Sequence, residues 1–268
     1  MENIFLGFLV GMIQGITEWL PISSSAAIVL FSNFFSSLGI EEMIRYALFL
    51  HLGTFLAAFI YFRKDIFSLT KKLFHYKTSD KKSKKVINFL IISTIITGAI
   101  GIIFLYLIKQ TEDIPGNLLT LVIGLLLLIT AIIQLKVKTT GVRKIQSLKS
   151  LDAVVLGFFQ GLAVLPGISR SGITVSALLL QKFDDTTALK LSFLMSLPVV
   201  LGANILLNLS LFTFSAMMIY SLLVSFIFGI LTIHGLMKLS KKINFGFFVL
   251  IFAILMILGG LIPIVSGI

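Results

Sequence analysis

The stretch Pro166-Gly167-Ile168-Ser169-Arg170-Ser171-Gly172-Ile173-Thr174 places an arginine and three hydroxyls between two strongly apolar segments. Residues 153–165 precede it and residues 175–180 follow it, so Arg170 would lie deep in a membrane. A charge at that depth costs at least ~2.5 kcal/mol on insertion scales and needs a partner or a function. Proline and glycine break the helix, which would turn free N–H groups, hydroxyls and the guanidinium inward. The stretch therefore predicts an anion site, and the alternative is a polar helix–helix contact without chemistry.

Composition indicates an integral membrane protein. Of the 268 residues, 57% are hydrophobic and only 12% are charged, far from the balance of soluble domains. Cysteine is absent, which excludes a disulfide framework and a thiolate metal site. A pI near 9.9 would suggest nucleic acid in a soluble protein, but here the basic residues lie between apolar spans and act as topology signals. We expect a multi-pass plasma-membrane protein that binds no nucleic acid and has no removable signal peptide.

A second break of the same kind lies near the N-terminus. Residues 4–20 are apolar except for Gln14, Thr17 and Glu18, and Pro21-Ile22-Ser23-Ser24-Ser25 then interrupts them. Three residues before this break match three residues before the break at 166–174, at one constant offset in residue number. Gly11, Gln14 and Gly15 match Gly157, Gln160 and Gly161. This pattern predicts an internal repeat within a single membrane domain of residues 1–268, with a first repeat at 1–136 and a second at 150–268.

Hydropathy predicts how the two repeats cross the membrane. Neither break has enough apolar residues on both sides for two full crossings, since a span needs about 20. Each break is better interpreted as a re-entrant helical hairpin. Six longer apolar segments are predicted to cross completely: 44–62, 87–107, 117–136, 188–209, 214–237 and 244–264. We therefore predict an all-α integral membrane protein with six transmembrane helices plus two re-entrant helical hairpins.

The basic residues predict the orientation of these segments. All Lys and Arg except Arg45, Lys109 and Arg170 lie in or beside four loops, which the alternation of crossings puts on one side: 63–86, 137–151, 182–190 and 238–243. The positive-inside rule makes that side cytoplasmic. Three crossings per repeat invert the second repeat relative to the first, so the two hairpin tips can meet near the midplane, as in inverted-repeat transporters.

A meeting of the tips would assemble one polar site. Gln14 and Glu18 project from the same helix face at i and i+4. The site would combine Glu18, Gln14 and Arg170 with hydroxyls from both breaks: Ser23, Ser24, Ser25, Ser169, Ser171 and Thr174. Arginine binds phosphate through its planar fork, whereas a carboxylate repels phosphate unless it is protonated, acts as a base or holds Mg²⁺ or Ca²⁺. The alternative is a purely structural Glu–Arg pair. His51 and His234 are interpreted as packed or wall histidines.

Both motifs resemble those of the undecaprenyl-diphosphate phosphatases associated with bacitracin resistance. Gln14 to Ser25 resembles the family's Glu/Gln-x-x-x-Glu segment running into Leu-Pro-Ile-Ser-Ser. The stretch Pro166 to Thr174 is similar to its Pro-Gly-x-Ser-Arg-Ser-Gly-x-Thr box. The resemblance implies an enzyme that removes the terminal phosphate of a C55 polyprenyl diphosphate and so recycles the lipid carrier of cell-envelope synthesis, with a divalent cation. It also implies Glu18 and Gln14 in metal or proton chemistry, Ser24 as nucleophile, and Arg170, Ser169 and Thr174 on the diphosphate.

The chain departs from the family pattern at two positions. The histidine expected at 27 is Ala27, and Gln14 replaces the commoner glutamate. A proton that the missing histidine would move must then pass through Glu18 or water. The competing interpretation is an inverted-repeat transporter or flippase of polyprenyl phosphate or a small anion, and a homodimer is an open alternative to the monomer.

Overall fold

Helices make up nearly all of the protein. The computed structural model describes residues 4–20, 22–35, 40–109, 116–136, 141–165, 167–207, 215–239 and 246–266. Across these ranges there are eleven α-helices and no strand, only one isolated bridge between Arg143 and Phe183. In chain order the helices are α1 (Ile4–Thr17), α2 (Ser24–Phe35), α3 (Ile40–Tyr61), α4 (Arg63–Phe74), α5 (Lys81–Lys109), α6 (Gly116–Lys136), α7 (Ser150–Leu162), α8 (Arg170–Leu180), α9 (Asp185–Leu207), α10 (Ala216–Leu239) and α11 (Gly246–Ser266).

Several of these helices can cross a membrane. By length and apolarity α5, α6, α9 and α10 qualify in the described part of the chain, and α3 with α4 forms a fifth candidate, bent by 79°. Helices α1, α7 and α8 are apolar but shorter. The prediction of an all-α membrane protein is thus confirmed with four or five candidate spans. Each segment predicted as a crossing coincides with a helix, namely α3, α5, α6, α9, α10 or α11.

The prediction of a loop at 63–86 was wrong for its first half, because α4 occupies Arg63–Phe74. One face of α4 is tied to the protein: Ile66 and Leu69 pack against buried clusters, and Asp65 accepts a hydrogen bond from Lys190 of α9 at 2.7 Å. The opposite face is exposed and includes Phe74. The basic residues conceal the 3.6-residue apolar spacing that makes this segment an amphipathic helix.

Both predicted hairpins are helices interrupted by a break. In the first, α1 ends at Thr17 and α2 begins at Ser24; in the second, α7 ends at Leu162 and α8 begins at Arg170. The serine before each second helix caps it. Ser23 Oγ lies 3.5 Å from the Ala26 amide, and Ser169 Oγ accepts from the Gly172 amide at 3.1 Å. Such caps satisfy N–H groups that a helix start otherwise leaves unpaired.

Each short first helix packs on a long helix from the other half of the chain. Helix α1 lies against α10, and α7 lies against α5. Glycines allow both close approaches: a Cβ at Gly11 would be 2.4 Å from Ser221 O, and one at Gly157 would be 2.8 Å from Ser93 O. Helices α6 and α11 also pack extensively on each other. These contacts bring the two breaks together in the middle of the protein.

Candidate functional site

The two breaks present the starts of two helices to one carboxylate. Ser24 is the first residue of α2 and Arg170 is the first residue of α8. Both contact Glu18, which lies just after α1 and is only 6% exposed. Ser24 Oγ donates to Glu18 Oε2 at 2.7 Å, and Arg170 Nη2 donates to Glu18 Oε1. The predicted meeting of Glu18, Ser24 and Arg170 is therefore present in the structure.

Two further groups saturate the Glu18 carboxylate. Gln14 Nε2 donates to Oε2 at 3.1 Å, and His51 Nε2 lies 3.0 Å from the same oxygen. A buried carboxylate is stable only when it is paired and hydrogen-bonded, and here a guanidinium, an imidazole, an amide and a hydroxyl all meet that need. These contacts hold the carboxylate in one position beside the Ser24 hydroxyl.

Of the six residues whose hydroxyls were predicted for the site, five line one cavity and Thr174 does not. Ser23, Ser24, Ser25, Ser169 and Ser171 all line one cavity. Ser23 Oγ lies 3.3 Å from Ser25 Oγ, and Ser169 Oγ lies 3.4 Å from Ser171 Oγ. The two serine pairs thus have matching Oγ–Oγ separations at the two breaks, although the backbone of Ser23 is left-handed and that of Ser169 is not. Ser171 also donates to Leu20 O at 2.9 Å and so ties one break to the other.

Thr174 does not line this cavity. Its hydroxyl lies 2.7 Å from Ser192 Oγ of α9 and donates to Arg170 O at 2.7 Å, and the residue has no exposed surface. These hydrogen bonds fix the first turn of α8, which begins at Arg170. Gln14 is also outside the cavity lining and reaches the site through Glu18.

His51 is a site residue that sequence reasoning missed. The interpretation of a packed or wall histidine was right about its place in the cavity wall but missed its bond to Glu18. The other ring nitrogen, Nδ1, lies 2.6 Å from Ala47 O. Both ring nitrogens thus face oxygen atoms that can accept a hydrogen bond, one from Glu18 and one from the α3 backbone. Nothing around position 51 in the sequence marks it, because the residue lies inside an apolar span.

Three polar atoms at the site are buried without a partner in the protein: Gln14 Oε1, Gln160 Oε1 and Arg170 Nη1. Gln160 donates from Nε2 to Thr97 Oγ1 at 3.2 Å and to Met195 O at 3.3 Å, so only its oxygen is unpaired. Buried polar atoms in native proteins are nearly always hydrogen-bonded. Two open acceptors and one open guanidinium donor are what a bound ligand would satisfy.

The electrostatics of the cavity favour an anion. The starts of α2 and α8 both face it, and helix N-termini carry partial positive charge and free N–H groups. The Arg170 guanidinium lies over the Trp19 ring, 5.4 Å from its centroid, which fixes the plane of the fork. The cavity has a volume of about 400 Å³, and its polar end is formed by the residues at the two breaks.

The described residues contain no group of three His, Asp or Glu that could hold a metal ion by itself. The donors at the site are the Glu18 carboxylate, the unpaired Gln14 Oε1 and the seryl oxygens. Mg²⁺ is commonly bound through one or two carboxylates together with phosphate oxygens of a substrate. The donor set therefore fits a cation that is shared with a phosphorylated ligand.

Fold and site together define an all-helical integral membrane protein whose cavity combines a serine hydroxyl, a buried carboxylate and an arginine. The particular family is settled by similarity: the chain belongs to the bacitracin resistance protein BacA family, whose model matches residues 7–259. A protein named undecaprenyl-diphosphatase from Methanococcoides burtonii is 40% identical over 263 residues, covering 96% of this chain and 98% of that protein. Proteins of the same name from Haloarcula marismortui and Methanococcus vannielii are 33% and 37% identical and cover 98% and 92% of this chain, and 99% and 95% of their own lengths.

Proposed function

We propose that this protein hydrolyses undecaprenyl diphosphate to the monophosphate and inorganic phosphate, which recycles a lipid carrier of cell-envelope synthesis. The observation that carries the proposal is the contact of Ser24 and Arg170 with the buried Glu18, inside a membrane protein. A nucleophile beside a base, with a guanidinium fork on the same carboxylate, is suited to phosphoryl transfer. Family membership and the names of the relatives support the same activity.

In the first step Ser24 attacks the terminal phosphorus. Its proton passes to Glu18 Oε2, which already accepts the Ser24 hydrogen bond at 2.7 Å. The bond between that phosphorus and the bridging oxygen breaks, polyprenyl monophosphate leaves, and the phosphoryl group remains on Ser24. The proton on Glu18 passes to the departing monophosphate. Water then attacks the phosphoserine and gives one proton to Glu18, which returns it to the Ser24 oxygen as the serine–phosphorus bond breaks and phosphate leaves. Both steps put negative charge on phosphoryl oxygens in a place where water is scarce.

Arg170 stabilises that charge. Its Nη2 is occupied by Glu18, whereas its buried Nη1 is free to donate to a phosphoryl oxygen. The amides at the starts of α2 and α8 act in the same direction. Fixed donors of this kind, which need no rearrangement during the reaction, supply much of an enzyme's rate enhancement.

His51 takes the place of the histidine that the family pattern has at position 27. It contacts Glu18 Oε2, the oxygen that receives the Ser24 proton. A proton shared between this ring and Glu18 can be returned to the leaving oxygen or taken from the attacking water. Ala27 is buried in α2 and offers no such group.

A divalent cation, Mg²⁺ or Ca²⁺, is proposed to enter with the diphosphate, with Glu18 as its ligand on the protein side. Gln14, which the sequence also predicted as a ligand, lies outside the cavity lining and reaches the site only through Glu18. When bound, the cation would neutralise phosphate charge. Titrating a chelator into the assay tests this. Activity that falls with chelation and returns with either ion is expected, and full activity in excess chelator would remove the cation from the proposal.

For the membrane arrangement we propose six crossings, α3, α5, α6, α9, α10 and α11, and two re-entrant hairpins, α1–α2 and α7–α8. The reciprocal packing of α1 on α10 and of α7 on α5 supports an inverted repeat. So do the matching Oγ–Oγ separations of the serine pairs at the two breaks. The arrangement places the site at depth, where a re-entrant backbone is tolerated because it lines a cavity.

The direct test is phosphate release from undecaprenyl diphosphate by the purified protein in proteoliposomes. Stoichiometric release of one phosphate per lipid is expected. A parallel assay for scrambling of a labelled polyprenyl phosphate examines the transporter alternative, and scrambling without phosphate release would overturn the proposed activity. The mass of the detergent-solubilised protein distinguishes a monomer from a homodimer in the same preparation.

A further inference from the structure

The cavity that contains the site also has an apolar end, whose residues have no role in the proposed reaction. It runs between α5 and α9, away from Ser24 and Arg170, and is lined there by Gly98, Gly101, Ile102, Leu105, Gly202 and Leu206. Three of these six residues are glycines in the interior of helices. Glycine is among the weakest helix formers, so three of them along one wall require a physical reason.

Close helix packing is not that reason. A Cβ added to Gly98, Gly101 or Gly202 would meet no atom within 4 Å. By contrast, a Cβ at Gly157 or Gly161 would come within 3 Å of α5. The backbone is not the reason either, because Gly167 has the only positive φ among the described glycines. The missing side chains leave an open groove.

The polar end of the same cavity indicates a ligand independently of the glycines. Gln160 lines the cavity, is only 2% exposed, and its Oε1 has no partner in the protein. The buried Arg170 Nη1 is also unpaired. Arg170 Nη1 is a donor and fits an anionic acceptor such as a phosphoryl oxygen, whereas Gln160 Oε1 is an acceptor and needs a donor on the ligand, such as a P–OH group. The groove that continues from these atoms is lined mainly by apolar residues.

We propose that the groove between α5 and α9 is the binding site for the first isoprene units of the lipid, with its diphosphate at Arg170. This inference rests on the proposed function and adds the path of the chain. Residues 94 to 105 of α5 line the cavity over a length of roughly 16 Å at the helical rise. A slender isoprenoid chain, with one methyl branch per unit, fits between helices whose facing positions lack side chains.

The groove is open toward lipid at its far end. Ile102 and Leu206, which line it, are 59% and 71% exposed. The remaining isoprene units can therefore leave sideways into the bilayer without crossing a polar surface. This geometry also explains how one cavity of about 400 Å³ serves a substrate much larger than itself.

Filling the groove tests the inference through chain-length preference. We would measure kcat/KM for undecaprenyl diphosphate and for dimethylallyl diphosphate, which has one isoprene unit. Gly101→Leu and Gly202→Leu should lower the ratio of long-chain to short-chain kcat/KM at least tenfold. Gly235→Leu is the matched control, because Gly235 of α10 also has open space but does not line the cavity. An unchanged ratio in both groove variants would overturn the inference.

A binding measurement separates this inference from the proposed activity. The chain has no cysteine, so Gly101→Cys and Gly235→Cys each carry one thiol for a lipid-soluble maleimide. Undecaprenyl phosphate should slow labelling of Gly101→Cys but not of Gly235→Cys, and a phospholipid should slow neither. Protection in a protein that releases no phosphate would keep the groove and reject the phosphatase. Phosphate release without protection, or equal protection by phospholipid, would reject the groove.

Discussion

Glu18 is the residue through which every polar part of the site is connected. Its two oxygens accept from Arg170, Ser24, Gln14 and His51, which come from both breaks and from α3. Leaving such a carboxylate buried and unpaired is costly, so its partners contribute to stability as well as to chemistry. Predictions at this scale must therefore separate catalysis from folding.

Ser24→Ala should reduce phosphate release by about 10⁴-fold or more, as removal of a nucleophile does in other hydrolases. Protein yield and thermal stability should change little, because Glu18 keeps three other donors. Ser25→Ala is the control: Ser25 lines the same cavity but bonds to Ser23 and not to Glu18. Near-normal turnover in Ser24→Ala would favour water, positioned by Glu18, as the nucleophile.

Arg170→Lys should fold but lose roughly 10²–10³ in rate, the usual cost of one stabilising contact to transition-state charge. Lysine keeps the charge and loses the planar fork whose free Nη1 serves the phosphate. Arg143→Lys is the comparison, because Arg143 makes a partly buried ion pair with Asp152 and does not line the cavity. A Glu18→Gln, Arg170→Gln double variant that recovers phosphate release would reduce the pair to a structural role.

The meeting of Glu18 with Arg170 could be predicted from the sequence, since each is a charge at membrane depth beside a helix break. The role of His51 could not. Its partner lies on another helix, and the position falls inside an apolar span with no local break to mark it. Only the three-dimensional packing of α3 against the first hairpin brings the ring to the carboxylate.

His51→Gln should lower the rate by about 10² or more, the usual contribution of general acid–base catalysis. Glutamine can still donate to Glu18 but cannot carry a proton, so one limb of the pH–rate profile should disappear. His234→Gln is the matched control, because His234 packs near the Tyr61 ring outside the cavity. A variant at position 51 with the wild-type pH profile would make this histidine structural.

Among the elements, helix contacts between the two halves of the chain hold the breaks in place: α1 packs on α10, and α7 packs on α5. Gly15 of α1 approaches α10 so closely that a Cβ would lie 2.6 Å from Ser225 O. Hydropathy predicted the helices themselves, because long apolar runs have few other ways to satisfy their backbone in lipid. It did not predict α4, whose charges resemble those of a loop, nor which helices pack together.

Gly15→Ala should destabilise the protein by roughly 1–3 kcal/mol, the typical cost of overpacking. The added methyl would press on the α10 backbone, which cannot move away as a flexible side chain can. Thermal unfolding in detergent gives the measurement, and Gly235→Ala, which meets nothing within 4 Å, should be at least as stable as the wild type. Equal stability of the two variants would mean that the contact between α1 and α10 is loose.

For the whole molecule, the proposed inverted arrangement makes a prediction that no single helix makes. The basic residues near α4 and the start of α5 should be cytoplasmic by the positive-inside rule, whereas three crossings per repeat would place the end of α11 outside. Because the chain lacks cysteine, Lys77→Cys and Ser266→Cys each introduce a unique thiol. An impermeant maleimide applied to intact cells should label Ser266→Cys alone, and membrane permeabilisation should expose Lys77→Cys. Labelling of both from one side would require an even number of crossings between them and would overturn the proposed three crossings in at least one repeat.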